Sequence, residues 1–140
     1  MAQVVRADVV TDPIDVAALA ASVAGPRAGA VVTFSGDVRD HDDGRAVTAL
    51  TYEGHPTASA VIRVCADEVA ARHDVEAVAT VHRVGDLAIG DTAFAVAVSS
   101  AHRGEAFAAC SELVDVVKER LPVWKHQRFA DGTDEWVNSA

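Results

Sequence analysis

Two lysines near the C-terminus are the side chains best suited to chemistry in this sequence. Lys118 and Lys125 lie on either side of Pro122, within the stretch Ser111–Phe129, and they are the protein's two lysines beside ten arginines. An ammonium can lose its proton and act as a nucleophile or base, whereas a guanidinium stays protonated in proteins. Because arginine supplies positive charge elsewhere, we predict that the two retained lysines serve as amines.

The elements that carry the two amines decide whether they meet. Lys118 falls in the last turn of a predicted helix over about 105–121, and Lys125 falls in a predicted strand over Val123–Phe129. A reversal at the intervening proline would bring the amines close. Each ammonium would then lower the pKa of the other from about 10.4, which favours a neutral amine that attacks a carbonyl. The alternative is structural: Lys118 favours the helix dipole and lays its stem on the core.

Three further basic residues are candidates for binding an anion. Arg39 follows a predicted strand, and His102 and Arg103 lie where another strand runs into the long helix. Backbone N–H groups and the helix dipole at such a start favour a phosphate or a carboxylate. The alternatives are a solvated arginine among aspartates and an ordinary helix-entry turn with exposed polar residues.

Composition restricts the class of protein. A length of 140 residues fits one domain over 1–140, and half of the residues are hydrophobic, which predicts a globular protein. The apolar runs are too short to cross a bilayer and the N-terminus lacks the pattern of a secretory signal, so we expect a cytoplasmic protein. The net charge of −9 argues against a nucleic-acid-binding protein, which needs a broad basic surface.

The cysteines and histidines predict neither a disulfide nor a metal site. Cys65 and Cys110 fall among the apolar positions of predicted helices, as expected of small buried thiols. The six histidines show no paired spacing of metal ligands. We therefore expect no metal and no cofactor.

Hydrophobic periodicity and turn residues predict seven strands and three helices. The strands are predicted at Gln3–Val10, Ala28–Gly36, Ala46–Glu53, Val75–Val84, Thr92–Ser100, Val123–Phe129 and Glu135–Val137. The helices are predicted from a cap at Thr11-Asp12-Pro13 to Gly25, over Thr57–His73 and over Glu105–Leu121. Together they predict an α+β fold with a mixed, largely antiparallel sheet and packed helices.

Four local features follow from the same patterns. Ala28–Gly36 is apolar on both faces and is predicted to be buried between layers. The polar segment Asp37–Arg45 predicts a mobile loop able to close over a ligand. Val75–Val84 and Thr92–Ser100 are predicted to pair antiparallel through the short connection DLAIGD. Phe107 is predicted to belong to the buried stripe of the long helix.

Several stretches together resemble the large, catalytic subunit of molybdopterin synthase. Their order and spacing cover almost the whole chain from residue 29 onward, and the combined match is highly specific. The matching stretches are GAVVTFSGDVRDH at Gly29–His41, LTYEGHP at Leu50–Pro56, HRVGDLAIGD at His82–Asp91, SSAHRGEAF at Ser99–Phe107, and VKERLPVWKHQ with the later DEWV near the C-terminus.

The resemblance implies a sulfur transferase of molybdenum cofactor biosynthesis. Family members take sulfur from the C-terminal Gly-Gly thiocarboxylate of a small ubiquitin-like subunit. They place two sulfurs on cyclic pyranopterin monophosphate, which makes the dithiolene of molybdopterin. The family has an α/β-hammerhead fold and pairs through its large subunits, so the resemblance implies a homodimer within a heterotetramer.

The resemblance also implies roles for particular residues. Lys118 and Lys125 match the active-site lysines of the family, and Lys118 is expected to be the central catalytic group, acting either covalently or as an acid/base. Gln127 departs from the pattern, because the family commonly has a glutamate there; this removes a possible salt-bridge partner or proton acceptor near Lys125. The positions that match substrate-pocket residues are Phe34, Arg39, His102, Arg103 and Lys125.

Two other functions fit the same side chains. A non-catalytic module would bind the tail of a ubiquitin-like partner, and this binding would survive the loss of both amines. A phosphate-ligand enzyme of another reaction type would use Arg39, His102 and Arg103 and form a Schiff base at Lys118. That enzyme would give a borohydride-trappable carbonyl adduct without any protein partner.

Overall fold

Residues 2–138 are described by this computed structural model, and they form nine strands and three helices. The strands are β1 Gln3–Val10, β2 Ala30–Asp37, β3 His41–Asp42, β4 Arg45–Gly54, β5 Ala77–Arg83, β6 Gly85–Leu87, β7 Thr92–Ser100, β8 Val123–Phe129 and β9 Asp134–Asn138. The helices are α1 Val16–Val23, α2 Ala58–Arg72 and α3 Arg103–Arg120. The predicted α+β fold class is confirmed.

The first sheet has the strand order β1-β5-β7-β2. β1 pairs with β5 in parallel, and the other two pairs are antiparallel, as predicted for β5 and β7. The central strands β5 and β7 are almost wholly buried, which explains their continuous apolar sequences. Residues of α1 pack on one face of this sheet, while α2 and α3 cover the other face and enclose the main core.

The second sheet joins β3-β4-β8-β9 and adds β6 beside β4. Its inward-facing residues, such as Leu50, Tyr52 and Val123, belong to the same core as α2 and α3. Because β4 and β8 alternate inward and outward side chains, the sheet presents one face to this core and one to solvent.

The strand predicted to be buried on both faces is an edge strand. β2 ends the first sheet, and Val31, Thr33 and Ser35 on its outer face are exposed, so the prediction for this segment was wrong. The physical reason is that Leu19 and Val23, the buried residues of the eight-residue α1, cluster with residues of β5 and β7, and Val31 lies outside this cluster. An edge strand retains backbone groups able to pair with another chain.

Three boundaries also differ from the sequence prediction. The cap of α1 is Asp15, which accepts the Ala18 N–H at 3.0 Å, because it directly precedes the apolar residues of the helix. The connection DLAIGD contributes to β6, which pairs with β4. The predicted mobile loop contains the β3–β4 hairpin, in which Asp43 and Gly44 have positive φ values of 50° and 75°, as a tight hairpin turn requires.

The two thiols occupy the predicted helices. Cys65 and Cys110 are both free and buried, as predicted. Within residues 2–138 no helix is long and apolar enough to span a membrane. The same residues contain no group of three or more His, Cys, Asp or Glu side chains that could hold a metal ion.

Candidate active site

The end of α3 and the start of β8 bring Lys118 and Lys125 to one pocket. The Leu121 N–H closes the helix by donating to the Val117 carbonyl at 2.8 Å, and Pro122 has no N–H to continue the helical pattern. β8 therefore begins within two residues. Lys118, in the last helical turn, and Lys125, on β8, both line a pocket of about 190 Å³.

The second sheet forms one wall of this pocket. Tyr52 pairs directly with Lys125 across β4 and β8, so the two side chains emerge on the same face of the sheet. Leu50 and Gln127 pair in the same way two residues along, and they line an adjoining pocket of about 60 Å³. Both pockets include Tyr52 and Lys125, so they are continuous parts of one site.

A bulge at the start of β7 shapes the opposite wall. Gly36 pairs with Phe94 whereas Asp37 pairs with Thr92, which leaves Ala93 as an extra residue on β7. A bulge bends its strand and redirects side chains, and bulges are common next to active sites. The larger pocket is lined by four residues of this bulge, namely Gly36, Asp37, Ala93 and Phe94.

Arg39 supplies a permanent positive charge to the site and lines both pockets. Its neighbour Val38 is buried, and the Val38 backbone donates to the Asp91 carbonyl at 2.9 Å and accepts from the Gly90 N–H at 2.8 Å. The guanidinium itself is exposed, with Nη2 lying 3.4 Å from Oδ1 of Asp42. An anchored backbone with an exposed guanidinium suits the binding of an anionic ligand.

Burial and a like charge both favour loss of the proton from Lys118. The residue is exposed as a whole, but it lines the pocket. Desolvation there lowers the pKa of Lys118 from its ordinary value of 10.5, and the charge of Lys125 lowers this pKa further. The second cause was predicted from the sequence, and burial is the larger one. A neutral amine can act as a nucleophile or as a base.

A buried histidine lies behind the pocket wall. His82 is fully buried, stacks on Phe94 with ring centroids 5.6 Å apart, and meets Tyr52 edge to face at 4.9 Å. Its Nδ1 donates to the Arg83 carbonyl at 2.8 Å, so Nε2 is an acceptor, and Nε2 has no hydrogen-bond partner among the described residues. Burial is the main reason why the pKa of His82 falls to about 4, and the charge of Lys118 contributes. The imidazole is therefore neutral at pH 7.

His102 and Arg103 lie at the opposite end of α3 from the lysines. His102 is the N-cap, Arg103 is the first helical residue, and both are exposed. Sixteen residues at the helical rise place this end about 24 Å from Lys118. The chain thus gathers Arg39, Lys118 and Lys125 in one site but keeps His102 and Arg103 apart from it, and the substrate-binding role of these two residues stays a prediction.

Phe34 lies beside the lysine pocket. Its ring packs edge to face on Phe94 at 5.7 Å, and it lines a separate apolar groove with Phe107. The prediction that Phe107 is buried was wrong, because 59% of it is exposed and the core-facing stripe of α3 includes Ala106 and Ala109 instead. The binding role of Phe34 also stays a prediction.

Several residues of the site walls were not predicted from the sequence. Tyr52 and His82 lie within the LTYEGHP and HRVGDLAIGD stretches, so a signal for them existed, but an aromatic residue in a strand is first interpreted as core. Asp42 is one of four aspartates in a polar segment, and only the fold distinguishes it from the other three.

Comparison with known proteins identifies the family of the chain. A family model described as MoaE protein matches residues 9–120. Molybdopterin synthase catalytic subunit 1 of Mycobacterium tuberculosis is 38% identical over 130 residues, which cover 89% of this chain and 85% of that protein.

Solved structures show the same fold. The crystal structure of molybdopterin synthase from Staphylococcus aureus matches with a TM-score of 0.87 and 32% identity, covering 94% of this chain and 96% of that chain. A protein–protein complex of subunits 1 and 2 of molybdopterin-converting factor from Helicobacter pylori matches with a TM-score of 0.72, covering 94% of this chain and 88% of that chain. Its identity is 17%, so this second likeness concerns the fold alone. On the family model and the bacterial relatives together, the chain belongs to the MoaE protein family.

Proposed function

We propose that this chain is the catalytic subunit of a molybdopterin synthase. It transfers sulfur from the C-terminal thiocarboxylate of a small ubiquitin-like subunit to cyclic pyranopterin monophosphate and so forms the dithiolene of molybdopterin. The observation that carries the proposal is that both lysines, one with a lowered pKa, share a pocket with Arg39 in a chain of the MoaE family.

Each basic side chain has a distinct part in this proposal. Arg39 gives charge-assisted hydrogen bonds to the phosphate of the substrate. Lys118 is the central catalytic group, which either attacks the donor acyl group or transfers protons during displacement of the sulfur. Lys125 holds substrate charge and lowers the pKa of Lys118.

The proposed partner is a small subunit whose tail enters the pocket. A Gly-Gly terminus has no side chains, so it suits a narrow pocket of about 190 Å³. The solved structure from H. pylori, which has the same fold, is likewise a complex of two subunits. A cytoplasmic location, expected from the N-terminal sequence, stays a prediction.

The groove between β2 and α3 supports pairing with a second copy of the chain. It has a volume of about 380 Å³, it is mainly apolar, and it lies beside the open edge of β2. Phe107 exposes 59% of its surface there. An exposed apolar patch of this kind marks a protein-interaction site. The groove is lined by Val32, Thr33, Phe34, Phe107, Cys110, Ser111, Val114 and Asp115.

A two-fold axis through this groove would complete the site. Cys110 and Ser111 lie in the groove and halfway along α3 between Arg103 and Lys118. If two copies pack their α3 helices antiparallel about this point, the start of one helix lies beside the end of the other. His102 and Arg103 of one copy would then reach the lysine pocket of the other copy.

Formation of molybdopterin tests the proposal. The purified chain is mixed with cyclic pyranopterin monophosphate and a thiocarboxylated small subunit, and molybdopterin is followed for the wild type and for Lys118→Ala and Lys118→Arg. We expect both variants to lose at least about a hundredfold in rate, because arginine keeps the charge but cannot deprotonate. Binding of the small subunit to both variants is the control.

Other outcomes point to the alternative functions. If the wild type forms no product while a reference synthase is active in the same mixture, the non-catalytic binding module is favoured. A borohydride-trapped adduct at Lys118 without the small subunit would favour the Schiff-base enzyme. Full activity of Lys118→Ala would keep the function and remove Lys118 as the catalytic amine.

A further inference from the structure

The β3–β4 hairpin places the carboxylate of Asp42 beside the buried amide of Gln127 at the edge of the site. Gln127 on β8 exposes only 3% of its surface, and its Nε2 donates to Oδ2 of Asp42 at 2.7 Å. Asp42 belongs to the two-residue β3, and the turn at Asp43 and Gly44 folds this strand back along β4. The hydrogen bond therefore ties the hairpin to the strand that carries Lys125.

The second oxygen of this carboxylate faces Arg39. Nη2 of Arg39 lies 3.4 Å from Oδ1 of Asp42. The hydrogen bond from Gln127 is the main reason why the pKa of Asp42 lies below its ordinary value of 3.8. Burial raises this pKa, and the charges of Lys125, Arg39 and Arg45 lower it. Asp42 is thus ionised at neutral pH. Because it contacts one nitrogen of Arg39, the other guanidinium donors can face the pocket.

This contact needs one amide and one carboxylate. With Gln127→Glu, two carboxylates would meet at hydrogen-bond distance in a buried place, and one of them would have to take up a proton or move away. With Asp42→Asn alone, the charge that faces Arg39 is lost. With both substitutions together, the amide nitrogen of the asparagine donates to the glutamate and its oxygen accepts from Arg39, so both contacts return and the one negative charge moves to position 127.

We propose that Asp42 and Gln127 are a positioning pair, which fastens the β3–β4 hairpin to β8 and directs the guanidinium of Arg39 toward the phosphate of the substrate. The inference rests on the proposed function for the identity of that substrate. The pair lies next to Arg39 and acts through it, so it controls substrate affinity more than the chemical step. Its loss raises KM and leaves kcat nearly unchanged.

A double-mutant cycle on molybdopterin formation tests the pair. We expect Gln127→Glu and Asp42→Asn each to raise the KM for cyclic pyranopterin monophosphate about tenfold, with kcat changed less than about twofold. The double variant is expected to return to within about threefold of the wild-type KM. Asp40→Asn is the matched control, because it removes an exposed carboxylate of the same segment that bonds His41 instead. It leaves KM unchanged.

Additive losses in the double variant, or a wild-type KM in both single variants, would overturn the pair. Thermal unfolding shows which variants are folded. If Gln127→Glu alone does not fold but the double variant with Asp42→Asn does, this result also supports the pair. NMR titration of the Asp42 carboxyl in the wild type and in Gln127→Leu needs no turnover, and the pKa is expected to rise in the variant. If the pKa rises in Gln127→Leu but the wild type forms no molybdopterin, the pair stands and the proposed function is rejected. An unchanged titration in an active enzyme would reject the pair alone.

Discussion

The charge of Lys118 is controlled by its immediate surroundings rather than by its place in the helix. Desolvation in the pocket is the larger cause of its lowered pKa, and the ammonium of Lys125 is the smaller one. These causes can be separated, because a substitution at Lys125 removes the charge and leaves most of the burial. The protein suits such a measurement because its two lysines are both in the site.

Replacing Lys125 by glutamine is predicted to raise the pKa of Lys118. The pKa remains below the ordinary lysine value, because desolvation persists in the variant. The measurement is NMR titration of ¹³C-methylated amines, in which Lys118 is the one remaining lysine signal.

Arg128→Gln is the matched control for this titration. Arg128 also lies on β8, but its side chain is exposed and three residues from Lys125, on the other face of the strand. The variant leaves the Lys118 titration unchanged. An equal rise in both variants would mean that general charge, not the pairing of the lysines, controls the pKa.

Single residues could be predicted where the chemistry is local. Lys118 and Lys125 were identified because they are the two lysines of the sequence and lie seven residues apart around a proline. Gln127 was recognised as a missing carboxylate near Lys125, but its actual partner could not be foreseen, because Asp42 lies 85 residues earlier in the chain. Such a contact depends on strand register, which a sequence of scattered aspartates does not specify.

At the scale of elements, His82 connects the two sheets. It stands on β5, stacks on Phe94 of β7 and meets Tyr52 of β4, so it lies where the first sheet faces the second. Its neutral form is the one that fits this apolar contact. Protonation of His82 therefore opposes the packing of the sheets behind the lysine pocket.

Acid is predicted to destabilise the fold through His82. The folded pKa of about 4 lies below the unfolded value of about 6.5, so the unfolded chain binds the proton first as pH falls. The stabilisation is complete above pH 6.5 and is lost progressively toward pH 4. From pH 7.5 to pH 4.5, the titration of His82 lowers the free energy of unfolding by about 2.5 kcal/mol.

Urea unfolding of the wild type and of His82→Phe at these two pH values measures this loss. Phenylalanine keeps an aromatic ring but cannot titrate, and the carboxylates common to both proteins cancel in the comparison. We expect the free energy of unfolding to fall more for the wild type than for the variant when the pH is lowered from 7.5 to 4.5. A constant difference would assign the acid sensitivity to other groups.

Elements were predictable wherever the local pattern decides. All three helices and strands β1, β7 and β8 follow from periodicity and turn residues. The exposure of β2 and Phe107 was not predicted, because it depends on whether another element of the fold covers them. An apolar residue in an interface has the same sequence signature as one in a core.

At the scale of the whole molecule, the proposed active site belongs to two chains. Arg103 and Lys118 are separated along α3 by a distance that no side chain spans. In the proposed dimer, a site that needs both residues is completed only across the two-fold axis. This makes catalysis depend on the association of large subunits.

Mixed dimers are predicted to regain activity when two defective chains are combined. Arg103→Ala and Lys118→Ala each remove one half of the composite site. After random exchange of subunits, about a quarter of the sites receive both native residues. The measurement is molybdopterin formation by the mixture relative to each variant alone.

The control mixture combines Lys118→Ala with Lys125→Ala. These residues line the same pocket of one chain, so no mixed dimer contains an intact site. Recovery in the control, or no recovery in the first mixture despite exchange of subunits, would contradict the composite site.

The parallel pairing of β1 with β5 has a consequence for how the chain is made. Gln3 pairs with Ala77, so β1 leaves the ribosome about seventy residues before its partner strand. Contacts so distant in sequence cost chain entropy before they add stability, and topologies dominated by them fold in milliseconds to seconds. During synthesis the two pairs of valines in β1 stay exposed until α2 and β5 have emerged. The nascent chain is therefore most prone to aggregation, and most dependent on chaperones, before β5 is complete.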